Sequence, residues 1–140
     1  MSPQRHLLCG TILATGILLT KHDTDMAMAC LIGSVISDTD HILEYSKYCN
    51  EYNVQPSFKE FVSGKYFDTK KTVYVPFHSW EAAFLGILYC LLVKSAGNAI
   101  KGLTIGYASH MILDQIGNKA CVGGYFWLYR WWKDWKQEFF

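Results

Sequence analysis

Apolar positions along the chain gather into four segments, each of helical length and none alternating as a strand would. The first, His6 to Leu19, is rich in Leu and Ile and starts just after Ser2-Pro3, a pair suited to a helix N-terminus. The second, Asp23 to about Ile36, opens on Asp23 and Asp25, whose charge favours a helix start. The third, Trp80 to Lys94, follows Pro76 and carries Glu81 in its first turn. The fourth, Asn98 to Gln115, is capped by Asn98 and stopped by Gly117-Asn118. From Tyr45 to Pro76 the texture turns polar and aromatic. There Ser57 and Glu60 have capping-box spacing, which predicts a short helix over Phe58 to Val62. Thr72 to Val75 reads as a brief extended piece, and the rest as loop. The pattern predicts one all-α domain over residues 1–140, a compact bundle of about four to six helices. A loop-rich insertion at about 45–77 and an aromatic segment at about 125–140 complete it.

Composition narrows the classes. The chain is 51% hydrophobic and 18% charged, which supports a real core and excludes a disordered chain. A net charge of +1 gives no footprint for gripping nucleic acid, and none is expected as a partner. Five cysteines without a CxxC pair read as reduced core thiols of a cytosolic protein. The uncharged run Leu7 to Thr20 falls short of the ~20 residues of a usual span, and no cleavage site follows it. A compact bundle is therefore favoured over a spanning chain, located in the cytoplasm or peripherally on a membrane. In the last segment Leu128, Trp131, Trp132 and Trp135 form an i, i+3, i+4, i+7 stripe among Arg130, Lys133 and Lys136. Such a stripe either closes the bundle core, the favoured reading, or lies in a membrane surface.

The chemistry concentrates on histidines next to acids. The block "SDTDH" (Ser37 to His41) ends an uncharged apolar run, and taken alone it reads as a solvated helix end. In "VPFHSWE", His78 precedes a helix, Ser79 can cap it and Glu81 follows at three positions. In "GYASHMILDQI", Asp114 stands at i+4 from His110, on one helical face. Gly102 and Gly106 precede His110 at the same four-residue step, a row that would admit a neighbouring helix. Each cluster has an ordinary structural explanation, but His6, His41, His78 and His110 lie on four separate segments, three of them near acids. Helices of a bundle can converge such side chains into a carboxylate–histidine metal site. Imidazole mixed with carboxylate suits Zn²⁺ best, with Mn²⁺ or Fe also served, and one or two ions are accommodated.

These residues also resemble a known family. The order "HLLCG … LIGSVISDTDH … FHSWE … GYASHMILDQI" looks like the YdjM-type (LexA-binding, inner-membrane-associated) metal-dependent hydrolases, related to the zinc-dependent phospholipase C and P1-nuclease fold. By resemblance His6, Asp38, Asp40, His41, His78, His110 and Asp114 occupy its motif positions. The chain departs from the family pattern at Ser37, where a Pro is usual, and at Val75-Pro76-Phe77, where a His-Arg pair is usual.

The leading expectation is a divalent-metal-dependent hydrolase of a phosphoester, small or lipid-borne. His6, Asp38, His41, His78, His110 and Asp114 form the ligand pool, and Asp40 or Glu81 serves as general base or ligand support. Two alternatives stand beside it. One is a non-catalytic membrane or partner-binding helical protein with a structural metal. The other is an HD-type phosphohydrolase built on His6, His22, Asp23 and Asp114.

Overall fold

A computed structural model describes residues 3–118, 121 and 123–139; Ser2 and Phe140 of the sequence reading lie outside them. Among the described residues eight α-helices follow in order: α1 (Pro3–Lys21), α2 (Thr24–Gly33), α3 (Thr39–Glu51), α4 (Phe58–Ser63), α5 (Tyr66–Thr69), α6 (Trp80–Leu92), α7 (Asn98–Gly117) and α8 (Trp127–Trp132). The protein is all-α, and four of its longer helices, α1, α2, α6 and α7, supply the expected bundle. Among the described residues the extended structure is one isolated bridge between Thr72 and Lys136. It falls inside the segment expected to be extended.

Local chemistry explains most boundaries. Asp23 caps α2 by accepting the Met26 N–H at 2.8 Å, and Ser79 caps α6 by accepting from Ala82. Ser57 caps α4 through Glu60 N–H. The capping box is only half made, because the Glu60 carboxylate turns to the Tyr45 and Tyr48 hydroxyls at 3.0 and 3.1 Å. Asn98 is the first residue of α7 rather than its cap, and its side-chain amide instead donates to Asp23.

Two sequence expectations are corrected. The polar stretch after Tyr45 is not loop: α3 continues to Glu51, and α5 forms within the same insertion. The inward face of α3 is Asp40, Glu44, Tyr45, Tyr48 and Cys49, a helical repeat written in acids and tyrosines rather than aliphatics. The C-terminal stripe does not close the core. Helix α8 ends at Trp132, and Leu128, Trp131 and Trp132 are 62%, 64% and 71% exposed. Trp135, in a left-handed backbone conformation (φ 56°), folds back against Tyr74 and over the Arg130 guanidinium.

Helices α1, α2, α6 and α7 make one bundle, with α2 packed most closely on α7. That intimacy needs the glycine row: a Cβ on Gly102 would stand 2.1 Å from the Met26 carbonyl oxygen, and one on Gly106 2.0 Å from that of Cys30. The bundle interior is small and polar, with His6, Gly10, Ala27, Cys30, Gly33, Ser34, Ala83, His110 and Asp114 all buried. Its outward faces are aliphatic, including Leu8, Ile12 and Leu19 on α1 and Leu85, Leu91 and Leu92 on α6. The helical stretch Thr24–Glu51, 28 residues interrupted by a 3-10 turn at Ile36–Asp38, is long and apolar enough to cross a membrane by length and composition.

Candidate metal centre

Four elements bring polar side chains to one end of the bundle. His6 comes from the first turns of α1, and His110 and Asp114 from the same face of α7. Asp38 ends the 3-10 turn after α2, and Asp40 and His41 open α3. His78 lies in the loop before α6. The break in the helix after Gly33 is what lets Asp38, Asp40 and His41 converge, since a continuous helix would turn Asp40 away from the other two.

The geometry is that of donors around one small volume. His110 Nε2 and His78 Nε2 are 3.1 Å apart, and each is 3.4 Å from Asp114 Oδ2. Asp38 Oδ1 lies 3.6 Å from His78 Nε2, 3.8 Å from His110 Nε2 and 3.6 Å from His41 Nε2. His6 Nε2 approaches Asp114 Oδ1 at 3.1 Å, and its ring stacks on that of His110 at 3.8 Å. Two adjacent candidate ligand sets result, His6–His110–Asp114 and Asp38–His41–His78.

Neighbours fix which ring nitrogens face inward. His110 Nδ1 donates to the Ser34 carbonyl at 2.9 Å. His78 Nδ1 donates to Asp40, 3.2 Å from one carboxylate oxygen and 3.3 Å from the other. A carbonyl and a carboxylate only accept, so both rings carry a proton on Nδ1 and turn Nε2 toward each other. Two Nε2 atoms 3.1 Å apart call for a proton or a metal cation between or beside them. Ligand nitrogens ~2.0–2.1 Å from a zinc ion stand ~3.3 Å apart, so the spacing suits a shared ion. Buried polar atoms without a hydrogen bond lie at the same place, among them Asp38 Oδ2 and His41 Nδ1. Native interiors rarely leave such groups unmet. The donor set fits a divalent cation.

The charge balance points the same way. Burial alone would depress the His78 pKa. Hydrogen bonds to Asp38 and Asp40 and the charges of Asp40 and Asp114 outweigh it and push the value up to about 9. A site holding Asp38, Asp40 and Asp114 draws a positive charge to its middle, as a proton or as a metal.

Each sequence candidate now has a place. His6, Asp38, His41, His78, His110 and Asp114 come together. Asp40, fully buried, faces the outer nitrogen of His78 and accepts the Phe77 N–H at 2.8 Å, so it orients a ligand. Glu81 is corrected. Its carboxylate accepts the N–H groups of Trp127 and Leu128 at 2.9 and 3.1 Å and the Ser79 hydroxyl at 2.8 Å. It thus clamps the start of α8 and belongs to neither ligand set. The HD alternative gains no support from the geometry. His22 is exposed in the turn after α1, with φ 52°, and the Asp23 carboxylate caps α2.

No protein family, curated protein or solved structure matches this chain. The site is therefore read from its own geometry.

Sequence reasoning missed three contributors. Arg130 is buried and donates to the Val75 and His78 carbonyls. Tyr107 donates to the Phe77 carbonyl at 2.6 Å and accepts from Ser79 N–H. Glu44 and Lys70 form a buried ion pair at 2.6 Å under α3. An arginine in an aromatic run looks like an interfacial cation, and nothing in its spacing marks it as buried. The solvent side of the centre is formed by Asp38 and His41, whose side chains are 14% and 22% exposed, against 3% or less for His6, His78, His110 and Asp114.

Proposed function

We propose that the chain is a divalent-metal-dependent hydrolase of phosphoester substrates, with zinc its best-suited ion and a fold of the phospholipase C/P1-nuclease kind. The observation that carries this reading is the convergence of His78 Nε2 and His110 Nε2, 3.1 Å apart and flanked by Asp38 and Asp114. His6, Asp38, His41, His78, His110 and Asp114 would hold one or two ions. A divalent ion there supplies the Lewis acidity that polarises a phosphoryl oxygen and acidifies water. The chain's own groups supply the rest. Asp40 and the Ser34 carbonyl keep the imidazoles in the ligating tautomer, and the buried rings of His6 and His110 keep bulk water from the inner wall. Asp38 and His41 border the open side, where substrate enters.

The outward faces of the bundle support a lipid setting. Helix α6 is apolar on almost every face, yet Phe84, Leu85, Leu88, Leu91 and Leu92 are half or more exposed. A helix apolar all round belongs inside a core or a membrane. Helix α1, 19 residues, is ~28 Å long at ~1.5 Å per residue, close to the ~30 Å of a bilayer's hydrocarbon. The exposed Leu128, Trp131 and Trp132 of α8 sit at the His78 end of the bundle, as an aromatic belt would at the membrane surface. A phosphoester carried on a lipid headgroup would meet the centre there, which makes an inner-membrane-associated enzyme the favoured form.

The test is hydrolysis of a phospholipid and of a water-soluble phosphodiester by protein purified without chelator. Metal-dependent turnover lost in Asp38→Ala and His110→Ala supports the hydrolase. Stoichiometric metal with no hydrolysis of either substrate, and metal-dependent melting, favours the second reading, a metal kept for stability in a membrane-bound protein.

A further inference from the structure

We propose that Arg130 is a positioning residue of the metal centre, holding the backbone of His78 from helix α8; this rests on the metal reading above. The loop Val75 to Ser79 carries a central ligand yet has no regular structure of its own, so most of its backbone groups must find partners elsewhere. Only the His78 N–H stays local, closing a turn onto Val75 O at 3.2 Å. Phe77 N–H goes to Asp40 and Phe77 O to the Tyr107 hydroxyl. Ser79 N–H goes to Tyr107, and Trp80 N–H to Tyr125 O. The two carbonyls that bracket the ligand, Val75 O and His78 O, both go to the Arg130 guanidinium.

The position of Arg130 is itself over-determined. Its side chain is buried and its ring neighbour Trp135 covers it at 5.1 Å. Its backbone carbonyl accepts the Trp135 N–H at 2.9 Å. The first N–H groups of its helix are gripped by Glu81. A planar fork of donors matches two carbonyls better than an ammonium can. Asp40 fixes the outer nitrogen of the imidazole and Arg130 fixes the backbone it hangs from, so the direction of His78 Nε2 is set from both ends. Partners of this kind are worth ~10–100-fold in metal affinity when removed.

The experiment is Co²⁺ titration of the full chain in detergent, followed by the visible absorption of the bound ion, for wild type, Arg130→Lys and Arg130→Met. Metal-free melting of each is measured alongside. Expected are a 10–100-fold weaker Co²⁺ affinity and an altered absorption envelope in Arg130→Met. Arg130→Lys, which keeps a donor, should be intermediate. Equal affinity and spectra in all three, with only the metal-free melting lowered, would make Arg130 a packing residue and overturn the proposal. Failure of the wild type to bind Co²⁺ would overturn the metal centre and the role of Arg130 together. If Arg130→Met does not fold, Arg130→Lys decides alone: unchanged affinity and spectrum contradict the role.

Discussion

The bundle of α1, α2, α6 and α7 and the insertion that holds α3, α4 and α5 are built inside out with respect to each other. In the bundle the buried positions are mostly Gly, Ala, Cys, Ser, His and Asp, with Met111 the large apolar exception, while many Leu, Ile and Phe side chains point outward. In the insertion the buried positions are Tyr45, Tyr48, Cys49 and Tyr66, and Lys47, Asn50, Glu51 and Lys59 face out. The second arrangement is what water selects. The first is what a lipid solvent selects, where small residues let helices approach and aliphatic side chains lose nothing by facing out. The candidate ligands lie on the seam between the two, which explains how so many polar groups are drawn to one end of an apolar bundle.

Substitutions can break this contrast, the largest first. Gly106→Val should abolish the folded bundle, or cost ~3 kcal/mol or more, because its side chain meets the Cys30 carbonyl backbone rather than a movable side chain. Gly16→Ala, with nothing within 4 Å, should instead stabilise α1 by ~0.5–1 kcal/mol. Thermal melting in detergent checks both. Tyr66→Ala should cost ~3–5 kcal/mol, the ordinary loss for a buried aromatic, and a near-neutral result would deny the insertion a core of its own. Glu81→Gln should uncap α8 for ~1 kcal/mol while leaving bound metal unchanged. Loss of metal in that variant would return Glu81 to the centre. The smallest effect on stability belongs to Leu91→Ser with Leu92→Ser, within ~0.5 kcal/mol in detergent, yet membrane retention should fall. A wild-type protein that is monomeric in buffer without detergent would contradict the lipid-facing bundle.

Much of the fold was legible because its signals are local. Asp23, Ser57 and Ser79 each announce a helix start through an oxygen one turn from its N–H partner, and the Gly102–Gly106 step announces a close helix. Helix α3 is invisible to the apolar pattern because its buried repeat is written in Asp, Glu and Tyr, which a hydrophobic period does not register. The ligand residues were legible as types at helical spacing. What joins them was not: Arg130 is 52 residues from His78, and Asp40 is 38. Helix spacing also said nothing of solvent. Leu128, Trp131 and Trp132 form the same stripe whether they close a core or face lipid, and only the fold of Trp135 back onto Arg130 separates them from it.

The most direct measurement is elemental analysis of protein purified without chelator, wild type beside Asp38→Ala, His110→Ala and Glu81→Gln. At least one equivalent of zinc, manganese or iron is expected in the wild type and in Glu81→Gln, and its loss in Asp38→Ala and His110→Ala. A metal-free wild type, or equal metal in all four proteins, would contradict the centre.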